Sequence, residues 1–206
     1  MNPVAETLHH QGFSLDYTLQ HQDLIPFVRR YLFTKNVFTI SYLVITILFT
    51  GAWLMVSFFF GINNTLTFFQ ILIWSVLGFG ISFLLAPVHE LLHGIAYKLC
   101  GAQKISFKAH WKKLYIVAIA DKFVTHRRAF YFIGLIPFVV ISLGSLLLVV
   151  FSSPALQLTW LTTLWVHATM CAGDIGLLSY FAEHRNKELI TYDDAESNVS
   201  YFYSKK

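Results

Sequence analysis

Charge is the scarcest commodity in this 206-residue chain: 13% of its residues are Asp, Glu, Lys or Arg, against about 25% in an ordinary soluble domain. Hydrophobic residues make up 56%, with 20 Phe among them, so too little polar surface remains to face water all round. Cysteine is almost missing. Cys100 and Cys171 are the only two, in no spacing that signals a disulfide framework or a thiolate zinc site. A secretory leader is not expected either, because the first 37 residues are mixed and polar. The first apolar block starts too late and runs too long for an h-region. Internal repeats, low-complexity tracts and the ten-residue alternation of an outer-membrane barrel are all lacking.

Long uncharged runs are what the chain does have. Residues 38–61, 67–88 and 129–152 carry no charge, and a fourth block, 155–182, is broken only by Asp174. Each exceeds the roughly 20 residues a helix needs to cross the hydrocarbon layer, and a helix satisfies its backbone polar groups within the segment. The blocks predict an all-α integral membrane protein with four transmembrane helices, at about 38–61, 67–97, 129–152 and 157–182. Residues 1–37 are expected as a cytoplasmic amino-terminal segment, 38–182 as the membrane domain, and 183–206 as a solvated cytoplasmic tail.

Orientation follows from the basic residues. All 15 Lys and Arg fall before residue 36, from Lys98 to Arg128, or after residue 182, and the turns near 62–66 and 153–157 have none. The positive-inside rule makes the charged side cytoplasmic, which predicts a multi-pass protein of the cell membrane with both termini inside. The net charge of +4 is then a topology signal, and no nucleic-acid binding is read from it. Between the second and third blocks, the stretches KISFKAH and KLYIVAIAD are rich in β-branched and aromatic residues, which suggests a short cytoplasmic β-hairpin.

Titratable groups at membrane depth are costly and mark function. Within the blocks or directly continuing them stand Glu90, Asp174, His89, His93 and His167. Three of these share the pentapeptide His89-Glu90-Leu91-Leu92-His93. On a helix, positions i and i+4 lie on one face, so both imidazoles can bind one zinc ion, with the glutamate beside them as general base. Zinc lowers the pKa of a bound water, and Glu90 can take its proton and pass it to the leaving amine. The competing explanation, a polar cluster used for helix packing, leaves an acid in lipid without a basic partner.

A catalytic zinc usually takes three protein ligands, and Asp174 is the natural third. His89 lies about 22 residues into its block and Asp174 about 17–19 into its own, so at about 1.5 Å per residue their depths differ by less than about 10 Å. A kink at Pro87 can close that gap, and Gly173 and Gly176 would let backbones approach. The alternative for Asp174 is a structural acid paired with a histidine or with lysines. His167 has several open roles: orienting Asp174, donating to an oxyanion, replacing Asp174 as ligand, or bonding a carbonyl. His110 and His126 fall in the cytoplasmic loop between the second and third blocks, where a solvated surface role is expected.

The string PVHELLHGIAYKLCGA, followed by a basic, strand-like loop and a late Gly-Asp in an apolar block, resembles the putative zincin peptidases. These are small bacterial membrane proteins that look like relatives of the site-2 protease intramembrane metalloproteases. The resemblance covers roughly residues 67–182 and leaves the first block as an addition. It implies a three-span core whose first span carries two zinc histidines and the glutamate, and whose third carries an aspartate ligand. Carried onto this chain, those are His89, Glu90, His93 and Asp174. The Asn and the prolines that precede the aspartate in site-2 proteases are absent from the segment His167-Ala168-Thr169-Met170-Cys171-Ala172-Gly173, so an oxyanion helper does not carry over.

Together these features predict a zinc-dependent, membrane-embedded peptidase acting near the cytoplasmic face on a membrane-embedded or juxtamembrane peptide. His89, His93 and Asp174 would hold Zn2+ and Glu90 would be catalytic. Two rival functions stand beside it: a non-catalytic zinc-binding membrane partner of the immunity type, and a metal transporter using His89, His93, His167 and Asp174.

Overall fold

The structure, a computed structural model, describes residues 3–110 and 115–205. In chain order its elements are α1 (Pro3–His10), β1 (Ser14–Gln20), α2 (Leu24–Leu32), α3 (Val37–Ile62), α4 (Phe68–Leu84), α5 (Ala86–Leu99), β2 (Ile105–His110), β3 (Tyr115–Ala120) and β4 (Thr125–His126). They continue with α6 (Arg127–Phe151), α7 (Pro154–Met170), α8 (Ala172–Glu183), β5 (Glu188–Asp194) and β6 (Val199–Lys205). Of the described residues, one compact unit takes those up to Thr39, Glu90–Ile136 and those from Gly173 onward. A second takes Ile40–His89 and Pro137–Ala172.

Local chemistry sets the helix starts of the second unit. Thr67 and Gln70 form a capping box at the head of α4: the Thr67 hydroxyl accepts the Gln70 N–H at 3.3 Å and the Gln70 side chain accepts the Thr67 N–H at 2.8 Å. Pro154 occupies the first turn of α7, where its missing N–H costs nothing. Large apolar side chains of α3, including Leu43, Ile47, Leu48, Met55 and Phe58, stand exposed. An apolar surface of that extent suits lipid and not water.

Helices α4 and α7 pack closely because Gly78 has no side chain. A Cβ there would overlap the Thr159 carbonyl and come within 2.8 Å of the Thr162 Cβ. Hydroxyls stitch the seam: Ser82 donates to the Thr163 carbonyl at 3.2 Å, Thr163 to the Gly78 carbonyl at 3.1 Å, and Thr159 to the Trp74 carbonyl at 3.1 Å. Small residues and interhelical hydroxyl bonds of this kind hold helices together where no hydrophobic force acts between them.

The first unit is built on an antiparallel sheet in the order β1-β6-β5-β4. Strand β1 comes from the amino-terminal segment and β5–β6 from the carboxy-terminal one, with Leu19 opposite Ser200 and Thr191 opposite Phe202. Leu19, Phe27, Tyr180, Phe181, Leu189 and Phe202 form its main core. A second cluster joins Leu8, Phe13, Ile190, Tyr192 and Tyr203. Arg127 locks the end of α8 from the start of α6: its guanidinium donates to the carbonyls of Phe181 at 2.6 Å, His184 at 2.9 Å and Lys187 at 2.6 Å. Phe181 is one of the last four residues of α8, whose carbonyls a helix leaves unpaired at its C-terminus, and His184 and Lys187 belong to the turn that follows it.

The expectation of an all-α protein with four transmembrane helices is overturned. Among the described residues, three helical stretches are long and apolar enough to cross a membrane: Val37–Ile62, Phe68–Leu99 and Arg127–Phe151. The fourth apolar block divides at Cys171 into α7 and α8. Nine of the 17 residues of α7 are buried by protein, where a lipid-facing span would leave most of its side chains on the outside. The second correction is the sheet. The tail expected as a solvated extension is a β-hairpin whose Leu189, Ile190, Tyr192, Phe202 and Tyr203 are buried. The hairpin anticipated after the second apolar block forms as β2 and β3, antiparallel with Phe107 opposite Ala118; its residues 111–114, including the Lys113 and Leu114 that open KLYIVAIAD, lie outside the described residues.

Candidate metal centre

Helix α5 carries the pentapeptide. It opens directly after the end of α4 at Leu85, with Pro87 in its first turn, so the apolar run changes helix where the sequence places its proline. His89, Glu90 and His93 follow on this one helix and can bring ligand atoms within 4.8 Å of one another. Both histidines are buried.

Each side chain has a defined outer contact. The His93 Nδ1 lies 2.9 Å from the Ile133 carbonyl of α6. A carbonyl only accepts, so Nδ1 carries the hydrogen and Nε2 is the atom left to face a ligand. That Nε2 lies 3.1 Å from Oδ1 of Asp174, in the first turn of α8. A lone pair and a carboxylate so close repel unless a cation, a proton or a metal, lies between them. The donor set therefore fits a metal ion: a buried imidazole with its tautomer fixed from behind, and an acid turned towards it.

Glu90 is held from the hairpin. The Ala118 N–H of β3 donates to its Oε2 at 2.8 Å, on the side where alternate N–H groups of an antiparallel strand turn away from their partner. Gly94 brings β2 onto the same helix. A Cβ there would stand 2.8 Å from the Phe107 ring.

The His89 Nδ1 lies 3.1 Å from Nε2 of His167 in the last turn of α7. Cys171, the residue that ends α7, places its sulfur 4.0 Å from the His89 Nδ1 and 3.9 Å from both ring nitrogens of His167. All three are buried. His89, His167 and Cys171 thus form a second cluster with ligand atoms mutually within 4.8 Å.

Of the residues expected from sequence, Asp174 meets His93, Glu90 and His93 share a helix with His89, and His167 meets His89. Gly176 does allow a close approach, with Val28 backbone atoms 3.0 Å from where its Cβ would be, whereas Gly173 has nothing within 4 Å. Cys171 and the backbone groups of Ala118 and Ile133 were not anticipated. For Cys171 a signal existed: it stands four residues after His167, the same one-face spacing as His89 and His93. Backbone donors and acceptors leave no trace in residue identity.

A family model described as putative zincin peptidase matches residues 82–189, from the end of α4 through α5, the hairpin and α8 into β5. No curated protein and no solved structure matches the chain.

Proposed function

Given that the chain belongs to the putative zincin peptidase family, we propose that it is a membrane-embedded zinc peptidase that hydrolyses a peptide bond near the cytoplasmic face of the bilayer. The observation that carries this reading is His93, tied to the Ile133 carbonyl through Nδ1 and turned to Asp174 through Nε2, one helical turn from His89 and beside Glu90. His89, His93 and Asp174 would hold the ion. When bound, zinc supplies Lewis acidity that polarises a carbonyl and makes water a better acid.

Glu90 would act as general base, accepting the proton of the attacking water and returning it to the leaving amine. The Ala118 N–H keeps the carboxylate beside the metal-ligand helix while leaving it an acceptor. The outer edge of β3, from which that N–H projects, suits an extended peptide added as a further strand. A membrane-embedded or juxtamembrane segment, locally unwound, is the substrate class this arrangement favours, as in the site-2 protease group that the motif resembles.

Three long apolar helices support membrane insertion. Because β1 pairs with β6, the two ends of the chain would lie on one side, which three crossings alone do not give, so the protein-enclosed segment after α6 would carry the chain back. The clustered Lys and Arg favour the cytoplasm for that side. The test compares membranes holding the parent protein with membranes holding Glu90→Gln, scored for cleaved membrane proteins. Gln keeps an acceptor for Ala118 but cannot take a proton. Accumulation of at least one uncut membrane protein in the variant is expected; identical cleavage in both would sink the mechanism, and zinc retention without any cleavage would favour a binding-only role.

A further inference from the structure

His89, His167 and Cys171 are three metal-ligating side chains brought together on two helices, and the peptidase reading uses only the first of them. His167 and Cys171 are one turn apart on the same face of α7, and the Cys171 N–H still donates to the His167 carbonyl at 3.2 Å, so their side chains are aimed together by the helix itself. Helix α5 presents His89 to both. Cys171 and His167 are among the most deeply buried polar-capable residues of the chain, at 0% and 1% exposure.

The distances decide what the cluster is suited to. Zinc ligated at about 2.0–2.1 Å by nitrogen and about 2.3 Å by sulfur, in a tetrahedral shell, spaces two nitrogens by about 3.3 Å and a nitrogen and a sulfur by about 3.6 Å. Here the two nitrogens are 3.1 Å apart and the sulfur stands 4.0 and 3.9 Å from them. The sulfur is thus nearly equidistant from the two facing nitrogens, and because it stands 3.9 Å from the His167 Nδ1 as well, closing round an ion would require the thiol or the His167 ring to turn. Two imidazoles and one thiolate suit a borderline-soft ion of the zinc class and disfavour magnesium or calcium.

We propose that His89 Nδ1, His167 and Cys171 form a second, thiolate-containing metal site for a zinc-class divalent ion, sharing His89 with the pentapeptide. The site stands on this cluster's own geometry and does not depend on peptidase activity. His89 enters it through Nδ1, and because a neutral imidazole offers a single lone pair, His89 would serve either this ion or one on the pentapeptide at a time. Metal binding here deprotonates the thiol, and the released proton goes to solvent.

Cobalt(II) is the probe, because thiolate ligation gives it a near-ultraviolet charge-transfer band that nitrogen and oxygen ligands do not. Full-length protein purified in detergent as Cys100→Ser, with Cys171 as its remaining thiol, is expected to develop the band on titration with cobalt. Adding Cys171→Ser should abolish it, and adding His167→Ala should weaken cobalt binding at this site at least tenfold while the circular dichroism stays that of the parent. Absence of the band in the Cys100→Ser protein, or its survival in the Cys171→Ser variant, overturns the proposal. The two readings separate cleanly. A band in a protein whose Glu90→Gln form cleaves normally removes the peptidase mechanism and leaves this site standing. Zinc bound and cleavage observed without any band does the reverse.

Discussion

His93 and Asp174 face each other across 3.1 Å, Nε2 to Oδ1, although 80 residues of chain separate them. The Ile133 carbonyl behind His93 sets which nitrogen points forward, so orientation and contact come from three different helices. In a chain this apolar, an acid and an imidazole brought together and shielded from water form a place prepared for a cation.

Replacing Asp174 by Asn should therefore lower zinc affinity by more than the roughly 10–100-fold that outer-partner mutations cost, and His93→Ala should do the same. Zinc per chain, measured by elemental analysis after dialysis against a weak chelator, reports it. Full zinc retention in both variants would remove this pair from the ligand set.

Gly94 predicts an effect on the base that leaves the metal untouched. Its missing Cβ accommodates the Phe107 ring, and the Phe107 strand pairs with the one whose Ala118 holds Glu90. Gly94→Val should push the hairpin away and cut turnover at least tenfold with zinc content unchanged. Combining it with Phe107→Ala should recover a substantial part of the loss, the non-additivity expected of residues in contact. Additive losses in the double variant would place the effect elsewhere.

Arg127 should tolerate no lysine. Its planar fork serves three carbonyls, one in the last turn of α8 and two in the turn after it, a geometry that a single ammonium cannot reproduce. Arg127→Lys is expected to destabilise the fold by about 1–3 kcal/mol, the usual cost of leaving buried acceptors unpaired. A lowered melting temperature in detergent checks it. An unchanged Tm would mean that water replaces the guanidinium without cost.

Asp193 gives the stability of the sheet a pH dependence. Burial pushes its carboxyl up to about 6 from 3.8, the nearby Asp121 adds to the rise, and the Ser200 hydroxyl, donating to it at 2.5 Å, opposes it. An acid with a raised folded pKa binds its proton more tightly when folded. Its stabilising contribution is complete below about pH 4 and is lost as pH climbs from about 4 to about 6. Asp193→Asn keeps an acceptor for Ser200 and carries no charge. The variant should match the parent near pH 4 and exceed it above pH 6 by up to about 3 kcal/mol, at about 1.4 kcal/mol per pKa unit. A stability difference that does not change over that range would contradict the assignment.

Features that depend on near neighbours were legible in the residues. The three long uncharged runs become long apolar helices because a helix closes its own hydrogen bonds. The pentapeptide lands on a helix, and the β-branched stretches become β2 and β3. The fourth run misled because apolar composition is the same for a lipid-facing span and for a helix enclosed by protein. The burial of α7 distinguishes them. The sheet was hidden for another reason: β1 and β6 meet from opposite ends of the chain, and neither strand alone has a long apolar face to announce its partner.

For the candidate centre the division is the same. By itself the sequence determined that His89 and His93 share one helix face with Glu90 beside the first, because a 3.6-residue period needs no other part of the chain. Tertiary structure decided the rest: Asp174 against His93, Ala118 on Glu90, and His167 with Cys171 on His89. Each of those contacts joins residues at least 28 positions apart, and which helix faces meet is set by packing, small residues and backbone groups that residue identity does not encode.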